Sequence, residues 1–361
     1  MRTKYQRMIT KRIAKKDYIW ILRNAIKYFQ NIYAAYTGKV LTGPINCCIA
    51  LSWSCNARCV MCDYPKRARP KEELTTKEIK KILDELSDIN TTGVTFFGGE
   101  PLLREDLFEL IKYADKKGLV THMPTNGILL SNPTIAKKLV ESGIDTIVVS
   151  LDSTTPEGYK QIRRVDGFEK TINGIKNVLK FRKGLKYPPT VITAATISER
   201  NIDEVPLLLK QSEKLGVDSM QIVPAQPVET VKNEFNKDTN EKLKKIFEFL
   251  IKEKKSGKII DDSFEYLNYG LDKLNGKNVR IKCFAPYIEL HIDCFGNAYP
   301  CSALMGLNKP IAYIRNSSVK DFWFSKKMEK YRKKMANCQA CDYMCHRELS
   351  LPFNRLWFRE K

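Results

Sequence analysis

Histidine is scarce in this chain, with three residues in 361, and that leaves little material for a His-rich catalytic zinc centre. Long apolar runs are missing too: no segment reaches eighteen consecutive apolar residues, so a spanning helix is not expected. Met1-Arg2-Thr3-Lys4 is basic, but no clean apolar signal-peptide core and cleavage site follow, which makes the cytoplasm the expected location. Neither a P-loop nor a dinucleotide-binding glycine pattern occurs, so the two familiar phosphate cradles are excluded. No internal repeat or extended low-complexity tract is visible, which argues against a solenoid.

Acidic charge is the minority. The 41 Asp and Glu stand against 62 Lys and Arg, a net charge of +21. Such a field attracts polyanions without choosing among them, and a Lys-rich surface is equally a solubility or thermal habit. No nucleic-acid readout module accompanies it, so no specific nucleic-acid partner is expected. Residues 1–45 hold ten basic side chains and one acid, Asp17, a local charge of +9. Apolar residues at 43% and charged residues at 29% fit a folded, water-soluble chain. The length suits one large domain or a large and a small one.

Cysteine, by contrast, is plentiful. There are eleven, an odd number, and they are grouped: Cys55, Cys59 and Cys62 form one run, Cys338, Cys341 and Cys345 another. Closely spaced thiolates converge on one metal centre more readily than they pair as several disulfides. Metal ligation in a reducing compartment is the reading that fits.

Residues 1–45 form a basic amphipathic segment. Within it Tyr18, Leu22, Ala25, Phe29 and Ile32 make a helical stripe with Ile26 and Tyr33 beside it. The expectation is that this stripe packs on the main domain; the alternative is a helix lying on an anionic membrane, peripheral at the inner face. From residue 49 to about 225, short apolar strands alternate with longer amphipathic helices. Strands are expected at 49–54, 94–97, 119–124, 146–151, 190–197 and 219–223, with helices at 75–89, 105–117, 133–142, 169–182 and 205–215. Six such strands predict an α/β fold, a partial (β/α)6 TIM-like barrel over 46–256, whose functional residues gather at the strand C-termini. Residues 257–361 read as a small cysteine-anchored extension. It holds a hairpin around Gly296-Asn297 and one basic helix over 318–336.

Cys55-Asn56-Ala57-Arg58-Cys59-Val60-Met61-Cys62 has the spacing C-x3-C-x2-C directly after the first strand. Three thiolates can hold three irons of a [4Fe-4S] cube and leave the fourth open; zinc, which favours a closed tetrahedral set, is the alternative. Gly98-Gly99-Glu100-Pro101 follows the second strand. Its glycines permit close backbone approach, and its acid can accept from an ammonium group.

With these two motifs the sequence resembles the radical S-adenosylmethionine (SAM) superfamily. The resemblance implies that Cys55, Cys59 and Cys62 hold the cluster, that SAM binds the open iron, and that one-electron reduction releases a 5′-deoxyadenosyl radical. It further implies that Gly98, Gly99 and Glu100 meet the cofactor's amino group. Asn126, Ser150 and Asp152 lie at the ends of the third and fourth strands, near the ribose or the substrate. Arg163 or Arg164 would meet the carboxylate, and Asn201 and Ile222 the far end and adenine.

Cys283 and Cys301 flank the hairpin with Gly296 between them, and Cys338-x2-Cys341 follows. This pattern resembles the family's SPASM or shorter Twitch extension, and implies one auxiliary [4Fe-4S] cluster on Cys283, Cys301, Cys338 and Cys341. Zinc is again the alternative. Cys294 and Cys345 are candidate extra ligands. Ser302 stands where many SPASM enzymes carry an acid, and His291 and His346 read as packing or solvent residues. The resemblance implies an oxidoreductase or modifying enzyme acting on an organic, peptide or lipid-linked substrate, served by a flavodoxin- or ferredoxin-like reductant. An iron–sulfur electron carrier or sensor without radical catalysis is the alternative class.

Overall fold

The computed structural model describes residues 9–10, 12–14, 16–67, 72–225, 237–279, 281–335, 337–338 and 350–351. A long helix, α1 (Tyr18–Thr37), precedes six strands: β1 (Asn46–Ser52), β2 (Gly93–Gly98), β3 (Val120–Thr125), β4 (Thr146–Ser150), β5 (Thr190–Ile197) and β6 (Ser219–Pro224). All six run parallel, each beside its sequence neighbour. Helical crossovers join them: α2 (Thr76–Asp88), α3 (Leu107–Lys116), α4 (Pro133–Glu141), α5 (Pro156–Arg163), α6 (Phe168–Phe181) and α7 (Val205–Leu215). This is the partial (β/α)6 barrel that the alternation predicts.

Local signals explain the boundaries. Thr75 caps α2 in a reciprocal capping box with Glu78, satisfying otherwise orphaned N–H groups. Pro133 begins α4 after Asn132, whose side chain caps Thr134 N. Gly216, in the left-handed region, ends α7. On β1 alternate side chains divide between two faces. Cys47, Ile49 and Leu51 join Val94, Phe96 and Met123 in the main core beneath the helices. Asn46, on the other face, donates to Thr95 Oγ1 at 3.1 Å.

After β6 come α8 (Lys237–Lys255) and α9 (Phe264–Leu274). Between them Ile259–Asp262 runs beside β6: Met220 N donates to Ile259 O (2.6 Å) and Asp261 N to Met220 O (2.7 Å). A short helix, α10 (Ala285–Ile288), then leads into β7 (Glu289–Ile292), which pairs parallel with the free edge of β1. β8 (Asn297–Tyr299) and β9 (Ala312–Tyr313) continue antiparallel, separated by α11 (Ser302–Gly306). The extension therefore shares one nine-stranded sheet with the barrel.

Two expectations are corrected. The single basic helix over 318–336 is two, α12 (Val319–Trp323) and α13 (Lys326–Met335). Ser325 breaks the run by accepting from Met328 N at 3.1 Å, an N-cap interaction that starts the second helix. Apart from Ile32, half-buried against Ala34, Phe284 and Ile288, the α1 stripe does not pack inward. Tyr18, Leu22 and Phe29 are exposed, while Trp20, Lys27, Asn31 and Ala34 are buried. Lys27 Nζ donates to Pro44 O at 2.7 Å and Trp20 Nε1 to Gly118 O at 3.2 Å, whereas the buried Asn31 amide has no hydrogen-bond partner among the described residues.

Candidate active site

The strand C-termini carry the cysteine loop. Gly98 and Gly99 bring the end of β2 against the start of that loop: Gly99 N donates to Ser52 O (2.7 Å) and Glu100 N to Ser54 O (2.8 Å). A Cβ on Gly99 would lie 2.1 Å from Ser54 O, and Gly98 has φ +140°. Only glycine permits this approach. The first task of the two glycines is thus to seat the loop.

Cys55, Cys59 and Cys62 are half-buried. The loop is pinned from several sides. Arg58 N and Val60 N donate to Arg163 O (3.1 Å) and Ile162 O (2.9 Å) at the end of α5. Asn126 Nδ2 donates to Asn56 Oδ1 at 2.6 Å. Burial pushes the Cys62 thiol up to about 12, and the Cys59 and Cys55 sulfurs beside it add to the shift. Cys55 is raised as well, chiefly by burial, with Glu100 and Cys59 contributing. The Cys55 and Cys62 thiols thus resist free ionisation, and a cationic centre would favour binding them as thiolates.

Glu100 is fully buried. Its carboxylate accepts from Leu102 N (3.1 Å), Thr125 Oγ1 (2.7 Å) and Asn126 N (2.8 Å), tying the β2 and β3 ends together. Burial raises its pKa, against the pull of these donors and of Arg163. Asp152, after β4, accepts from Thr196 N at 2.7 Å and pairs with Arg163 at 2.5 Å. Arg163 Nη1 in turn reaches to 3.7 Å from Cys59 Sγ. Burial alone would lower the Arg163 pKa, but Asp152 and Cys59 outweigh it and hold the guanidinium charged. Arg163 Nε is buried without an acceptor among the described residues. A site with three thiols and a spare cationic donor suits an iron–sulfur cluster and an anionic ligand group.

The remaining candidates divide. Arg164 closes α5 in the left-handed region and points to solvent, so of the two arginines only Arg163 faces the cysteines. Asn201 is buried and donates to Asp152 O and Thr196 O, both at 2.9 Å. Ser150 is half-buried at the end of β4, and Ile222 is buried within β6.

At the extension, Cys283, Cys301 and the half-buried Cys338 share one small cluster with Ala285 and Met335. Cys341, Cys345 and His346 lie outside the described residues. Cys294 belongs elsewhere, fully buried beside Trp53, Phe295 and Tyr64, where burial and then Glu73 hold its thiol protonated. Among the described residues, no group of three or more His, Cys, Asp or Glu is arranged as a ready-made site for a metal ion.

Family comparison agrees with this geometry. A model described as the radical SAM superfamily matches residues 51–212, and one described as an iron–sulfur cluster-binding domain, SPASM, matches 283–345. The chain belongs to the radical SAM superfamily. Among curated relatives, this radical SAM protein is 35% identical over 168 residues to the AdoMet-dependent heme synthase of Methanosarcina barkeri, 46% of each chain. It is 31% identical over 191 residues to the PqqA peptide cyclase of Bradyrhizobium diazoefficiens, 53% of this chain and 49% of the relative. The chain therefore spans about half the length of these relatives. Among solved structures, Streptococcus suis SuiB bound to precursor peptide SuiA superposes with a TM-score of 0.65 at 17% identity, covering 94% of this chain and 78% of that one. That likeness establishes the fold.

Several residues around the radical SAM loop escaped the sequence reading. Arg67 forms a buried ion pair with Asp63 at 3.1 Å. Its guanidinium lies over Tyr64 and Trp53, 4.9 and 5.4 Å from their ring centroids. It also donates to Met305 O at 2.9 Å, joining the loop to the SPASM extension. Glu73 accepts from Ser52 Oγ (2.8 Å) and Trp53 N (3.2 Å). The Asp63–Arg67 spacing of four was the available signal; nothing local marked Glu73.

Proposed function

We propose that this protein is a peptide-modifying radical enzyme. In this reading Cys55, Cys59 and Cys62 hold a [4Fe-4S] cluster, and the ends of β2 to β6 receive SAM beside it. When bound, these groups supply one-electron cleavage of the sulfonium and abstraction of hydrogen from substrate. The chain's own residues bind and orient. Glu100, whose charge is felt at Cys55, suits the cofactor's ammonium. Arg163, kept charged by Asp152, suits its carboxylate through the donor left over at Nε. Asn201 fixes the backbone of Asp152, and Asn126 fixes the cysteine loop.

The observation that carries the proposal is Arg163 placed between Asp152 and the Cys59 sulfur. One buried cation thereby links the sugar-side strand end to the cluster loop. Cys283, Cys301 and Cys338, with Cys341, would hold the auxiliary cluster as an electron acceptor for a substrate radical. Ser302 after Cys301 leaves no carboxylate there for proton removal. A peptide substrate is favoured because SuiB was solved with its precursor peptide and a second relative is named a peptide cyclase. A flavodoxin- or ferredoxin-like reductant completes the scheme.

The test is anaerobic reconstitution, reduction with dithionite, and detection of 5′-deoxyadenosine. Undiminished cleavage after alanine replaces Cys55, Cys59 and Cys62 together would reject the assigned site. A uniformly deuterated peptide digest tests the substrate class. Deuterium in the 5′-deoxyadenosine supports a peptide, whereas cleavage without transfer counts against it.

A further inference from the structure

α1 docks by one face and leaves the other in solvent. Trp20 Nε1 donates to Gly118 O at 3.2 Å and Lys27 Nζ to Pro44 O at 2.7 Å, while Ala34 packs on Phe284, Tyr287 and Ile288. Gly118 and Pro44 lie two residues before the first residues of β3 and β1. The helix therefore lies across the N-terminal ends of the strands, opposite the cysteine loop.

Its outward face carries Ile19, Leu22, Ile26, Phe29 and Tyr33 at alternating spacings of three and four. Ile19 is 81% exposed, Phe29 69% and Leu22 64%. Large apolar side chains gathered this way mark a contact surface. The charge around them is mainly basic, and the one acid beside the helix, the N-cap Asp17, is paired with Arg12. Tyr18–Thr37 contains no Asp or Glu, exposed Lys16, Arg23 and Lys39 lie within or beside the helix, and residues 1–45 carry +9 overall. No helix among the described residues is long and apolar enough to cross a membrane, which leaves contact in the plane of a surface.

We infer that α1 is an interfacial anchor, lying with its Ile19–Tyr33 face in the headgroup region of an anionic bilayer. Apolar burial and attraction of basic side chains to anionic lipid act together in such helices, and Tyr18 and Tyr33 are residue types that favour the interface. A second copy of this chain suits the face less well. Two such helices would bring Arg23 and Lys16 together with no acid within either helix to pair them, the adjacent Asp17 being engaged by Arg12. The anchor sets an orientation. β1 has seven residues, so the cysteine loop stands about 20 Å from the docked end and faces away from the lipid. Substrate then enters from the aqueous side, whatever its identity, and the anchor is independent of the chemistry proposed above.

The experiment is flotation of the full-length reconstituted protein with vesicles of phosphatidylcholine holding about 30 mol% phosphatidylglycerol, compared with phosphatidylcholine alone. Sedimentation velocity without lipid accompanies it. The expected result is binding to the anionic vesicles that weakens with salt and falls at least about tenfold in Leu22→Asp/Phe29→Asp. Circular dichroism and melting temperature of that variant should match the parent, because both side chains are exposed. Failure to float at low salt would overturn the anchor, as would equal binding to neutral vesicles. So would a dimer that the double substitution dissolves in protein that does not float.

Discussion

Asp152 and Arg163 form an ion pair 2.5 Å long with neither side chain more than a tenth exposed. The pair joins the end of β4 to the last residue of α5, and the backbone carbonyl of Arg163 holds Arg58 N of the cysteine loop. Its loss therefore has a structural and a functional consequence. Removing one partner strands a buried charge, at a cost of about 3 kcal/mol. Asp152→Asn and Arg163→Met should each lower stability by roughly that amount in chemical denaturation, and the double variant by less than the two combined. Additive losses would show that the pair is not coupled. Both single variants should also weaken SAM binding, measured by equilibrium dialysis.

Glu100→Gln tests the joint between β2 and β3. The carboxylate accepts from three donors, whereas an amide presents one oxygen and two further N–H groups. At least one buried donor then faces an N–H instead of an oxygen, a cost of about 1–3 kcal/mol. Glu100→Asp keeps the charge but shortens the reach, and should lose stability too. A Gln variant as stable as the parent would remove Glu100 from its structural role.

The strands were legible because their apolar runs are short, β-branched and bounded by turn residues: β5 and α7 fall where the pattern puts them. β1 begins earlier than its apolar run, at Asn46, because Thr95 across the strand pair satisfies a polar residue that sequence alone marks as loop. α5 carried no strong stripe in its eight residues and holds Gly158. Thr155 and Pro156 start it instead, yet it delivers Arg163 to the cysteines. The choice between Arg163 and Arg164 needed the phase of that helix, which spacing to a distant motif does not fix. The α1 stripe misled for a different reason. Periodicity shows that a helix has an apolar face, not which face the fold buries.

His291 gives a pH signature. It is buried on β7 opposite Cys48, with Nε2 3.6 Å from Glu289. Burial alone would lower its pKa, but the Cys48 sulfur and Glu289 carboxylate raise it from 6.5 to about 9. A folded-state value above the unfolded one means that its contribution is fully present below pH 6.5. It is then lost as pH rises through about 9, up to roughly 3 kcal/mol. Melting curves between pH 6 and 10 should show this loss in the parent and a flatter dependence in His291→Asn. Parallel curves for the two would refute it.

The extension supplies the last prediction. Cys283 precedes α10 and Cys301 stands at the N-cap of α11, while Cys338 follows α13, its N–H bonded to Met335 O at 2.9 Å. Three segments of the extension thus bring their cysteines into one small packing cluster. A metal centre on these cysteines would add local stability to the packing of Phe284, Phe295, Tyr299 and Trp323, which are fully buried in the extension. Anaerobically reconstituted parent should bind about eight irons per chain, two four-iron clusters, and Cys283→Ala/Cys301→Ala about four. The variant should also become more sensitive to limited proteolysis beyond residue 283, because the segments converging there lose their common ligand. The barrel should keep its cysteine loop, seated by Gly98, Gly99 and α5. Four irons in the parent, with zinc at the extension, would instead make that site a closed structural centre without a redox role.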